Sequence, residues 1–283
     1  MPGPDSISRR LSGDARSFLA AGYALLIQVA HPTVGAGVAE HSNFKEDPWG
    51  RLLRTLDFTN GLVYGDPQTA AGIGRAVRGI HTQIKGVRPD GVRYHALEPE
   101  AYGWVHVTLF DAIVRVHHHF GIALDHGEVV RFYGEWTKLG RLLGVRERDL
   151  PATHAEFAEY YEWMITERLE PTPTVYDVLE TLAHPAAPPL PAALRPGFAL
   201  GGPAMGRAQR LVTVRLLPRA LRERFGVKLS RTERLEVAAL GRVARTATPL
   251  MPASLRNTAT GYMRWRHEEI GRLAAAGEMA AAA

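Results

Sequence analysis

Helix-start signals recur along this chain, and strand signals do not. Asp47-Pro48, Asp66-Pro67 and Glu98-Pro99 each set an acidic residue before a proline, and Asp14 and Ser230 stand at further N-cap positions. A short oxygen-bearing side chain can accept from a first-turn N–H, and a proline at the first helical position loses no hydrogen bond. Between these starts the apolar residues keep helical period, and alternating runs are scarce. The spacing predicts helices over 14–30, 33–41, 48–63, 67–85, 98–119, 127–143, 154–168, 174–183, 204–224, 230–246 and 253–275. Gly86, Gly121 and Gly144 fall where C-caps belong. The expected fold class is all-α.

At 283 residues and 46% hydrophobic content, the chain can bury a sizeable core, and no composition shift clearly divides it. It has no cysteine, which removes disulfides, thiolate metal sites, iron–sulfur clusters and cysteine nucleophiles. Charge is uneven: residues 1–193 carry 18 basic and 23 acidic side chains, and residues 194–272 carry 16 and 5. Such asymmetry can mark a nucleic-acid or anionic-membrane surface. No nucleic-acid module is readable, so the basic part is expected to pack against the acidic part and otherwise to solvate, with no nucleic-acid partner. Residues 185–203 hold six prolines and read as a coil near the charge boundary. The tail Ala274–Ala283 is expected to fray.

Ser8-Arg9-Arg10 before the apolar run Phe18–Ala30 superficially resembles a twin-arginine export signal. Ser12-Gly13-Asp14 interrupts it, and the run is too short to span a bilayer. A cytoplasmic protein without a transmembrane segment is expected.

The residues that could carry chemistry lie within 22–86. Ile73, Val77, Ile80 and Ile84 form an apolar helical stripe bordered by His81, with Arg78 three residues behind and Lys85 four ahead. An imidazole there is disfavoured as imidazolium, and its neutral form is the one a metal ligand needs. A hydrogen-bonded core histidine is the competing reading. On the preceding predicted helix Arg51, Arg54, Thr55 and Phe58 share a face among leucines, so an arginine pairs inside, with a structural salt bridge to Asp47, Asp57 or Glu40 as the alternative. His106 and His117 point alike from one helix. His117-His118-His119 reads as a wet helix end, and Trp104, Val105 and Phe110 as packing.

Several chemistries drop out. No histidine has an acidic residue three positions before it, as a ferritin-like di-iron site requires. There is no His-Glu-x-x-His, Gly-x-Ser-x-Gly or P-loop. Gly72-x-Gly74 lacks the third glycine and the preceding strand of a dinucleotide fingerprint.

Over about residues 10–250 the chain resembles the rubber-oxygenase catalytic domain family, which includes latex clearing proteins and MpaB-type oxygenases. The resemblance rests on Leu25-Leu26-x-x-x-Ala30-His31-Pro32, Gly37-Val-Ala-Glu40-His41-Ser42, Asp47-Pro48-x-x-Arg51-x-x-Arg54-Thr55 and Gly65-Asp66. It continues with Ile80-His81-x-x-x-Lys85-Gly86, Trp104-Val-His106, and Gly140-x-x-x-Gly144 followed by Leu150-Pro151. It implies a globin-like helical core with additional helices and one haem b, whose iron His81 ligates. It implies haem-site positions at Arg51 and Thr55 and a distal position at Arg54, where latex clearing proteins carry lysine. A family arginine falls at Lys85, and the family's catalytic glutamate corresponds to Glu40. Arg78 and Lys85 are then cations that can meet propionates.

The expectation is therefore a haem-dependent oxygenase or peroxygenase-like oxidoreductase. It would act on a small apolar, isoprenoid or natural-product substrate with O2 or peroxide, using Arg54, Thr55 and Glu40 in catalysis. The competing class is a non-catalytic haem- or lipid-binding protein that keeps the fold. The expected division is a haem domain over 10–250 and a C-terminal helix with a frayed tail over 251–283.

Overall fold

The computed structural model describes residues 2–187, 195–257, 261–262 and 265–266. The all-α expectation holds: among them are thirteen α-helices and one two-stranded hairpin. The helices are α1 Ile7–Ser12, α2 Ala21–Val29, α3 Pro32–His41, α4 Pro48–Tyr64, α5 Pro67–Gln83, α6 Pro99–Phe120 and α7 His126–Leu142. They continue as α8 His154–Trp163, α9 Pro173–Ala183, α10 Arg195–Leu216, α11 Arg219–Arg224, α12 Arg231–Ala247 and α13 Ala253–Arg256. The local signals act as the sequence suggests. Asp47, Asp66 and Ser230 accept from first-turn amides, and Pro99 opens α6 without a side-chain cap from Glu98. Gly144, just past α7, has φ +81°, a conformation glycine adopts without a Cβ penalty.

α6 is the axis of the core. It packs against α2, α7 and α12, and Trp104, Phe110 and Phe120 are almost wholly removed from water. Around them lie Tyr23 and Ile27 of α2, Phe132 and Trp136 of α7, and Phe157 of α8. One buried polar cluster within this core is internally paired. Tyr23 donates to Asp111, its hydroxyl also bonds that of Tyr161 at 2.7 Å, and Arg115 Nε donates to Asp111 at 2.8 Å.

The structure departs from the sequence reading in several places. The segment 14–30 is two elements, a 3-10 turn Ala15–Ala20 and then α2. Ser8-Arg9-Arg10 lies in α1, with Arg9 Nε donating to the Val63 carbonyl at 3.2 Å and Arg10 paired with Glu128 at 2.5 Å. The π-helical turn Met164–Arg168 finishes the segment begun by α8. Residues 195–203, read as coil, belong to α10, and 188–194 lie outside the described residues. The predicted helix 253–275 is seen as α13 and, farther on, at 261–262 and 265–266; its other residues and the Ala-rich tail lie outside the described residues. α5 ends at Gln83. Lys85–Val87 forms β1, antiparallel to β2 Arg93–His95, so Gly86 sits opposite Tyr94 within a strand and is not a C-cap.

Among the described residues no single helix is long and apolar enough to cross a membrane. Ala15–Val29 and Pro32–His41 pass that test only as a pair bent by 107°, and their Tyr23, Leu26, Ile27 and Val29 are core residues.

Candidate functional site

His81 occupies the last turn of α5, where its partners fix the state of the ring. Nδ1 lies 2.7 Å from the Val77 carbonyl. A carbonyl only accepts, so Nδ1 carries the proton and the lone pair of the neutral ring is on Nε2. Nε2 has no hydrogen-bond partner among the described residues. Burial pushes the imidazole pKa down, the Val77 bond opposes this, and the charge of Arg51 pushes it down further. The Tyr102 ring of α6 meets the His81 ring edge-on, with centroids 5.4 Å apart.

Arg51 approaches from α4. Its Nη1 donates to Thr55 Oγ1 at 2.7 Å, and Thr55 Oγ1 donates back to the Arg51 carbonyl at 3.0 Å. Burial, then the neighbouring charge of Arg54, lowers the Arg51 pKa. No carboxylate pairs with Arg51 among the described residues. A desolvated guanidinium with only a hydroxyl partner is an uncompensated charge, which an incoming carboxylate would balance. Arg51, Thr55 and His81 thus form one electrostatic neighbourhood, and the salt bridge that the sequence allowed for Arg51 is not formed.

Arg54 points elsewhere. Its Nη2 donates to Asn43 Oδ1 at 3.2 Å and its Nη1 is 3.7 Å from Asp47, at the N-terminus of its own helix. Glu40, at the end of α3, accepts from the Tyr94 hydroxyl at 2.5 Å and lies 3.9 Å from His41 Nε2. Through this contact the hairpin holds Glu40 above Gly86. Arg78 is exposed beside Gly144. Lys85 is an exposed strand residue opposite His95, so it does not share the helical face of His81 as the periodicity suggested.

Two further segments flank this neighbourhood: His81 meets Tyr102 of α6, and Ile84 lies over Gly37 of α3. Ile84, and Phe58 on the Arg51–Thr55 helix, are half-buried. Sequence reasoning missed Tyr102 and Tyr94, because no spacing rule links either to its partner. Tyr102, two residues before the Trp104-Val-His106 motif, carried the nearest signal.

Two of the other histidines are packed in the core. His106 Nε2 donates to the Trp136 carbonyl at 2.8 Å, and its ring stacks on Trp136. His117 is buried, so the wet helix end expected for His117-His118-His119 is correct only for the exposed His118; His119 is half-buried. Among the described residues no three His, Asp or Glu side chains gather to hold a bare metal ion.

The chain is a member of the family described as "ER-bound oxygenase mpaB/B'/Rubber oxygenase, catalytic domain", which matches residues 9–246. It therefore carries an oxygenase catalytic domain. No curated protein and no solved structure matches it.

Proposed function

We propose that this protein is a haem b-dependent oxygenase in which His81 holds the iron. The observation that carries this reading is the free lone pair of His81 Nε2, set by the Nδ1–Val77 bond. A ligating histidine commonly donates its other N–H to a carbonyl, which fixes the tautomer and raises the ring's basicity. When bound, haem supplies a redox-active iron at which O2 or peroxide reacts. The protein's own groups have separate tasks. Tyr102 limits rotation of the His81 ring. Arg51 binds a propionate carboxylate and so gains the counter-charge it lacks. Thr55 holds the guanidinium in place for that contact. Arg78 and Lys85, both exposed, serve propionates only at the rim. Glu40, oriented by Tyr94, is the carboxylate available to hold or move a proton. Arg54 acts on the distal side only by leaving Asn43 and Asp47, two partly exposed contacts that cost little to break. The substrate is a small apolar molecule of the isoprenoid or natural-product kind, as the family resemblance implies, with O2 or peroxide as oxidant.

The test is a haemin titration of the purified protein followed by its absorption spectrum. One equivalent is expected to bind. His81→Ala is expected to lose most of the affinity, and added imidazole to restore the Soret band. An unchanged affinity and band in the variant would remove His81 from the iron. Aerobic incubation of the holoprotein with an isoprenoid panel then separates turnover from binding alone.

A further inference from the structure

Helix α12 is tied to the body along one side. Val237 and Gly241 are buried, and Glu233 and Glu236 pair with Arg210 and Arg207 of α10 at 3.1 and 2.8 Å. At 3.6 residues per turn the opposite side carries Leu235, Ala239, Arg242, Val243 and Thr246, with Arg231 beside them. These residues are all exposed. Leu235 and Val243 are 69% and 60% exposed, and Leu250, just past the helix, is 85% exposed.

The charge on this face is one-signed: it carries Arg231 and Arg242 and no acidic residue. The segment around it is basic too, since residues 195–257 hold thirteen Arg and Lys against three Glu, and Glu223, Glu233 and Glu236 are all engaged in ion pairs. Arg231 and Arg242 have no partner among the described residues. Single exposed leucines need no explanation, but here an apolar ridge and unpaired arginines share one helix face. One kind of surface satisfies both, because it offers anionic groups at its edge and hydrocarbon beneath.

We infer that the outer face of α12 is a peripheral docking surface for an anionic phospholipid bilayer. Arg231 and Arg242 meet headgroup phosphates, and Leu235 and Val243 enter the headgroup–acyl boundary. A nucleic acid would use the arginines and leave the ridge in water. A second copy of the chain would set arginines against arginines. The inference does not depend on the haem reading.

The experiment is flotation of the full chain with vesicles of phosphatidylcholine alone and of phosphatidylcholine with about a third phosphatidylserine. Partition into the anionic vesicles only is expected. Arg231→Ala with Arg242→Ala should weaken it roughly 25-fold, at about fivefold per arginine near such a surface. Leu235→Ser with Val243→Ser should remove the part of the binding that survives raised salt. All four positions are exposed, so the fold is retained, and circular dichroism checks this. Absence of binding, equal binding to neutral vesicles, or variants that bind like wild type would overturn the assignment. So would duplex DNA binding without vesicle binding, or a concentration-dependent dimer abolished by Leu235→Ser.

Discussion

Thr55 shows how one hydroxyl can decide the state of a site. It accepts from Arg51 Nη1 and donates to the Arg51 carbonyl, so it ties the guanidinium to its own helix turn. Thr55→Val keeps the shape and removes the acceptor. A buried donor left without a partner costs about 1–3 kcal/mol, and part of that cost is avoided if the guanidinium swings towards water. The expected outcome is a small loss of thermal stability with a larger loss of haemin affinity. A large fall in melting temperature with unchanged haemin binding would make Thr55 purely structural. Arg54 is the contrasting case. Its contacts with Asn43 and Asp47 are long and partly exposed, and pairs of that kind are worth about 0–1 kcal/mol. Arg54→Met should therefore leave the melting temperature nearly unchanged, and differential scanning fluorimetry checks this.

At the scale of elements, the placement of His81 depends on how closely α5 meets α7. A Cβ at Gly74 would collide with the Leu142 carbonyl, and backbone cannot yield as a flexible side chain can. Gly74→Ala should push α5 outward, lower the melting temperature by several degrees and weaken haemin binding, because His81 is carried at the end of the same helix. Unchanged haemin affinity would show that the last turn of α5 is positioned by Tyr102 alone. The helix starts were legible because capping is local: Asp47, Asp66 and Ser230 bond amides two or three residues ahead. What escaped depends on distant partners. The amides of Ile7 and Ser8, at the start of α1, are satisfied by Glu135, more than a hundred residues away. The strands of the hairpin are three residues each, too short to alternate visibly. α10 runs through Pro203, which local rules treat as a stop. The site divides in the same way. The apolar face of His81 and the shared face of Arg51 and Thr55 are helical periodicity. The Tyr102 contact, the hold of Tyr94 on Glu40 and the turning of Arg54 towards Asn43 are tertiary.

At the scale of the whole molecule, two buried histidines in α6 make the fold sensitive to acid. Burial pushes both His106 and His117 down to about 4. The hydrogen bond to Trp136 opposes this at His106. Asp14 opposes it at His117, where Arg16 and Arg10 push the other way. His106 Nδ1 and His117 Nε2 are buried without a partner among the described residues, so protonation would put a charge where none of these residues accepts its hydrogen bond. The folded pKa lies below the unfolded value of about 6.5. The neutral rings therefore stabilise the fold fully above about pH 6.5, and that contribution is lost as pH falls towards 4. Each unit of separation is worth about 1.4 kcal/mol per group, so the two together are worth several kcal/mol across this window. Asp14, Glu100 and Glu233 are held below their ordinary values, so their contributions are lost from about pH 5 downwards and overlap the histidine window only at its acid end. For the apoprotein, the urea midpoint should fall steadily from pH 6.5 to 4 and stay flat from 6.5 to 8. His117→Gln, which cannot take up the proton, should lower the midpoint at pH 7.5 and flatten its slope below pH 6.5 by about one proton. A variant whose slope matches wild type would mean that His117 is reached by water before the core opens, and the acid sensitivity would then rest on the other lowered histidines, chiefly His106 and the half-buried His119, which burial also pushes down to about 4.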